Sequence, residues 1–160
     1  MKTPPITVAL AAACIVSAAC GGRKAVEINP SARPVGIRWN AVLATPAAMA
    51  GVLQVRGVGW MAPQEGNPEQ TSAYASITNA TPGGEHPWHV HIGQCGMDKG
   101  VLGPPSSYGV LKVGRGGTAE GSATIPLPAP TSGQYFINVH ASRANMGTIV
   151  ACGNLAPPSR

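Results

Sequence analysis

Glycine and proline set the first limit on what this chain can fold into. Together they supply 37 of its 160 residues, 21 Gly and 16 Pro. Glycine loses more backbone entropy than any other residue on entering a helix, and proline lacks the amide donor that a helix interior needs. A coiled coil or helical bundle is therefore not expected. The remaining apolar residues are largely Val, Ile, Leu and Ala in short runs, which suits a β protein with many turns. Aromatics are scarce at 4%, yet a hydrophobic content of 44% is enough for one core, and the length suits one domain.

Residues 1–19 are read apart from that domain. One Lys is followed by an apolar stretch from about Ile6 to Ala19 that ends in small residues, the pattern of a secretory signal. The run is shorter than the roughly 18 to 20 residues of a membrane-spanning helix. Val16-Ser17-Ala18-Ala19-Cys20-Gly21 also resembles the lipobox of bacterial lipoproteins, with Ser17 where a bulky aliphatic residue is usual. That resemblance implies lipidation at Cys20, export to the cell envelope or periplasm, and a membrane partner only through the N-terminal lipid. Simple cleavage after Ala19 is the alternative and also exports the chain. Residues 20–34, polar and interrupted by Pro30 and Pro34, read as a tether, and 35–160 as the folded domain.

Four cysteines then resolve into one pair. Cys14 lies in the signal and Cys20 is the lipid site, which leaves Cys95 and Cys152 for a single disulfide in an oxidising compartment. The net charge of +5 does not indicate nucleic acid. The 11 basic residues are scattered, with Arg23-Lys24 the one adjacent pair and no basic stripe interleaved with aromatics.

Strands are expected at 37–44, 50–58, 73–79, 89–92, 109–113, 117–125, 133–140 and 148–155. Turn clusters at 63–68, 81–85, 103–107, 114–117 and 126–132 separate them, with a hairpin turn at 114–117. A helical stretch at 45–49 is too short to matter. About eight short strands in this rhythm indicate an all-β antiparallel sandwich or flattened barrel.

The chemistry concentrates in histidines. Three of the four fall in His86-Pro87-Trp88-His89-Val90-His91. Side chains alternate along a strand, so His89 and His91 share one face, while Val90 and Trp88 point to the other and into the core. Two imidazoles so placed can ligate one metal ion, and His140, at the end of another expected strand, is a third candidate. Three imidazoles suit copper, zinc or iron. Calcium would call for clustered oxygen ligands, and the six carboxylates are scattered.

The sequence His86-Pro-Trp-His89-Val-His91 resembles the His-Gly-Phe-His-Val-His strand of copper/zinc superoxide dismutases, and Asn138-Val139-His140 resembles their Val-Val-His segment. Cys95 and Ala151-Cys152-Gly153 resemble the two halves of their intrasubunit disulfide. The resemblance implies a Greek-key fold, one copper ion held by His89, His91 and His140 as catalytic ligands, superoxide as the small-anion partner, and His86 stiffening the site through a backbone hydrogen bond. Departures matter equally. No histidine lies between His91 and His140, so the family's bridging ligand and zinc site have no counterpart. Only 12 residues separate His140 from Cys152, too few for the family's electrostatic loop, and Ile149 stands where the guide arginine would be. Arg143, three residues after His140, is a candidate anion guide. The pattern is that of a trimmed, copper-only relative.

Three other readings are weighed against that one. A non-catalytic copper protein fits the missing arginine but lacks the Met-rich or Cys-rich clusters of many Cu(I) carriers, although Met146 is placed to approach the site. A zinc hydrolase needs a carboxylate, and Glu85 is the one expected near the cluster. A cupin-like site expects a Glu where the chain has Gly93, Gln94 and Cys95, and a purely structural surface domain would need no metal at all.

Overall fold

Alternation of apolar and polar residues dominates the segments that become strands. The computed structural model describes residues 37–158, which belong to one compact unit. The expected signal, the expected lipid site at Cys20 and the expected tether lie outside the described residues. Nine strands run in chain order: β1 Trp39–Ala44, β2 Arg56–Gln64, β3 Asn67–Thr78, β4 Glu85–Gln94, β5 Met97–Val101, β6 Val110–Lys112, β7 Ala119–Ile125, β8 Tyr135–Ser142 and β9 Asn145–Leu155. They form one antiparallel, curled half-barrel sheet in the order β5-β4-β8-β9-β1-β2-β3-β7, with β6 paired to the first half of β4. The all-β expectation is met. Among the described residues no helix is long and apolar enough to cross a membrane.

Curling places one face of every long strand on a common core. β1 contributes Trp39, Ala41 and Leu43, β3 contributes Ala73, Ala75 and Ile77, and β4 and β8 contribute Trp88, Val90, Ile137 and Val139. Trp88 is fully buried and packs edge-on against Tyr108. Bulky and small residues interdigitate, which is how a curved sheet reaches interior packing density. A Cβ on Gly59 would fall 2.4 Å from Ile137 Cδ1, so this close approach needs glycine.

Several expected boundaries differ. Residues 50–55 are not a strand: the chain makes a short 3-10 turn at Ala47–Met49, and β2 begins only at Arg56. The expected turn at 63–68 shrinks to Glu65-Gly66, between paired Gln64 and Asn67. Pro63 sits at a register shift and Pro68 at the second residue of β3, places where a missing amide donor is tolerated. The 114–117 segment makes a tight turn, Gly117 N–H donating to Gly114 O at 3.0 Å, but no hairpin. Its flanking strands pair elsewhere, β6 with β4 and β7 with β3. β5 is an additional strand, four of its five residues exposed, so it carries no apolar alternation to announce it.

Candidate metal centre

His89, His91 and His140 meet on the face of the sheet opposite the core. Register explains the meeting: His89 lies directly across from Asn138, and His91 from Phe136, so His140 follows two residues later on the same face of β8. All three rings are buried, with 8%, 4% and 5% of their surface exposed. One nitrogen from each lies within 4.8 Å of the others. His89 Nδ1 and His140 Nε2 are 3.1 Å apart. Two imidazoles bound at about 2.0 to 2.1 Å to one tetrahedral ion would hold their nitrogens roughly 3.3 Å apart, so the spacing fits a shared metal.

The other ring nitrogens fix the tautomers. His140 Nδ1 faces the Met146 carbonyl oxygen at 2.6 Å. A carbonyl only accepts, so Nδ1 carries the proton and Nε2 keeps its lone pair. His91 Nδ1 donates to Asp98 Oδ1 at 2.9 Å in the same way, and its Nε2 is buried with no hydrogen-bond partner. Without metal, His89 Nδ1–H donates to His140 Nε2; ligation would move that proton off Nδ1. Orientation of each imidazole by its second nitrogen is what a histidine metal site requires. His86 Nδ1–H donates to the His140 carbonyl oxygen at 3.0 Å, tying the first half of β4 to the end of β8.

Asp98 is the carboxylate of this site, which corrects the expectation for Glu85. Glu85 is exposed and lies 4.0 Å from the Lys112 ammonium. Asp98 arrives because β5 folds back on β4 through a register shift between His91 and Gly93. Gly93 has φ +111°, and a Cβ there would fall 2.2 Å from Met97 O, so only glycine allows the fold-back. Partial burial pushes the Asp98 carboxyl up, but hydrogen bonds from Gly100 N–H and from His91 outweigh it and hold the group below its usual range. Asp98→Ala is expected to weaken metal binding by about 10- to 100-fold while leaving the stoichiometry at one, as competition with a chelator would show.

The remaining surroundings are aromatic and sulfur-containing. Phe136 stacks on His91 with ring centroids 5.1 Å apart, and Tyr108 meets His89 edge-on at 5.1 Å. Burial raises the Tyr108 phenol, which stays protonated and donates to Leu102 O at 2.7 Å. The Cys95–Cys152 disulfide is formed. It lines, together with Asp98, Asn138, Met146 and Met49, a cleft that reaches His140. Arg143 is exposed in the turn between Ser142 and Asn145 and is not among the residues lining that cleft. Sequence reasoning therefore assembled the three histidines, His86 and the two cysteines, and missed Asp98, Tyr108, Phe136 and Asn138. Phe136 and Asn138 carried a usable signal, since both precede His140 at even spacing and share its face.

Burial lowers the His89 pKa to about 4, with charge repulsion from His140 and His91 adding to it, and burial also lowers His140. The unfolded chain takes up these protons near pH 6.5, whereas folded His89 resists protonation until about pH 4. Their contribution to stability is therefore complete above pH 6.5 and is lost as the pH falls from there towards 4. Urea denaturation of the metal-free protein is expected to show a falling midpoint across that window, and His89→Gln to flatten the slope.

No protein-family model matches the chain, and no curated protein shows significant sequence similarity to it.

Proposed function

We propose that this chain is an exported protein that holds one copper ion at His89, His91 and His140 and dismutates superoxide. One observation carries the metal reading: three buried imidazoles each bring a nitrogen to within 4.8 Å of the others, His91 Nε2 has no hydrogen-bond partner, and His140 lines a cleft. Imidazole donors suit copper in both oxidation states, and three of them leave a coordination position for a small ligand. The likeness of the His86–His91 and Asn138–His140 segments to copper/zinc superoxide dismutases selects this chemistry.

Bound copper would supply a one-electron couple. That couple would let one superoxide be oxidised to dioxygen and a second be reduced, with two protons, to hydrogen peroxide. The chain's own residues orient and enclose. Asp98 and the Met146 carbonyl fix the His91 and His140 rings, His86 ties β4 to β8, and Tyr108 and Phe136 cover two of the rings. The cleft admits water as the proton source.

A second reading, copper holding without turnover, has its own support. The cleft is lined by the Asp98 carboxylate and by no Lys or Arg, so local charge repels an anion rather than steering it. Steering is worth about 10 to 10³ in encounter rate, so the enzyme reading predicts dismutation well below the diffusion ceiling. Pulse radiolysis separates the two. With a chelator present to hold stray copper inactive, superoxide decay faster with copper-loaded protein than with the metal-free protein supports the enzyme; equal decay supports holding alone.

A further inference from the structure

Among the described residues, four buried side-chain polar atoms have no hydrogen-bond partner: His86 Nε2, Trp88 Nε1, His91 Nε2 and Asn138 Oδ1. Trp88 belongs to the core, and His86 Nε2 packs towards Gly84. The other two belong to the metal face. Asn138 is only 6% exposed, lies directly across from His89 on β4 and from Cys152 on β9, and stands two residues before His140. Side chains directly opposite in an antiparallel pair have Cβ atoms about 4.5 to 5.5 Å apart. The Asn138 side chain is therefore a direct neighbour of His89, and it lines the same cleft as His140.

A buried, unpaired carbonyl oxygen is costly, and native sheets avoid it unless something else satisfies it. A valine or threonine would suit the strand better. We infer that Asn138 Oδ1 is a fourth ligand of the ion held by His89, His91 and His140. This rests on the metal reading above and adds to it a neutral oxygen donor. Amide oxygen is harder than imidazole nitrogen and favours Cu(II) over Cu(I). Asn138 thereby sets the redox preference of the site, and it differs at this position from the Val-Val-His pattern that the segment otherwise resembles.

The test uses the folded, disulfide-bonded protein loaded with one equivalent of copper. Asn138→Ala is expected to keep copper and three-nitrogen hyperfine structure while altering the Cu(II) electron paramagnetic resonance parameters. Cu(II) affinity should drop about tenfold with Cu(I) affinity unchanged, which raises the reduction potential by about 59 mV. Asn138→Asp retains an oxygen donor with added charge and should shift the potential the opposite way, which covers the case that the alanine variant folds poorly. The metal-free Asn138→Ala protein should melt no lower than wild type, since the lost carbonyl had no partner. A wild type that takes up no copper overturns the metal reading and this assignment with it. A wild type that binds copper, with a spectrum and potential that neither variant changes, overturns this assignment alone.

Discussion

Replacing His91 by alanine is expected to lower copper affinity by well over a hundredfold. Losing a partner that only orients a ligand typically costs about 10- to 100-fold, and His91 supplies the donor itself. Its Nε2 is buried without a competing hydrogen bond, so no reorganisation inside the protein offsets the gain from binding metal. His89→Ala and His140→Ala should behave alike, because each removes one of three converging nitrogens. The metal-free variants should still unfold cooperatively, since the three rings are not members of the main core cluster, which His89 touches at Tyr108. Titration against a competing chelator, with thermal denaturation in metal-free buffer, checks both halves. Loss of the fold in all three variants without metal would make the cluster a structural element instead.

Breaking the Cys95–Cys152 bond should cost the metal-free protein about 4 kcal/mol, from the loop entropy regained by the unfolded chain over a 57-residue separation. Against a typical total of about 5 to 15 kcal/mol, that is a large share of the stability. The bond also bears on the site. Cys95 lies in the turn between β4 and β5, its N–H bound by Asn154 Oδ1 at 2.8 Å, and Asp98 follows three residues later. Freeing that turn loosens the carboxylate that orients His91. The Cys95→Ser, Cys152→Ser double variant is therefore expected to show both a lower urea midpoint and weaker copper binding, whereas Asp98→Ala should show mainly the second.

The face carrying the three histidines was legible because it depends on a period of two. His89, Val90 and His91 alternate whatever the rest of the chain does, and His140 closes a segment with the same alternation. What the sequence could not display were contacts made by irregular backbone. Asp98 reaches His91 only through the fold-back at Gly93, and an exposed β5 carries no apolar pattern to mark it. Residues 50–55 looked strand-like from composition, yet the Thr45 N–H donates to the Val55 carbonyl and its hydroxyl to the Val150 carbonyl, which holds a loop there. Pro63 and Pro68 suggested a wide turn, but both fit within strands once Gly66, at φ +74°, tightens the hairpin to two residues. The Leu102 and Met146 carbonyls that lock Tyr108 and His140 in place are likewise properties of the folded chain alone.

X-ray absorption of the protein loaded with one equivalent of copper is the most direct measurement of the central claim. The account predicts one tightly held ion with three imidazole nitrogens in its first shell, reduced to two in each of His89→Ala, His91→Ala and His140→Ala where copper is retained. Copper bound with a shell that none of the three substitutions changes, or no copper bound in the presence of a weak chelator, would contradict it.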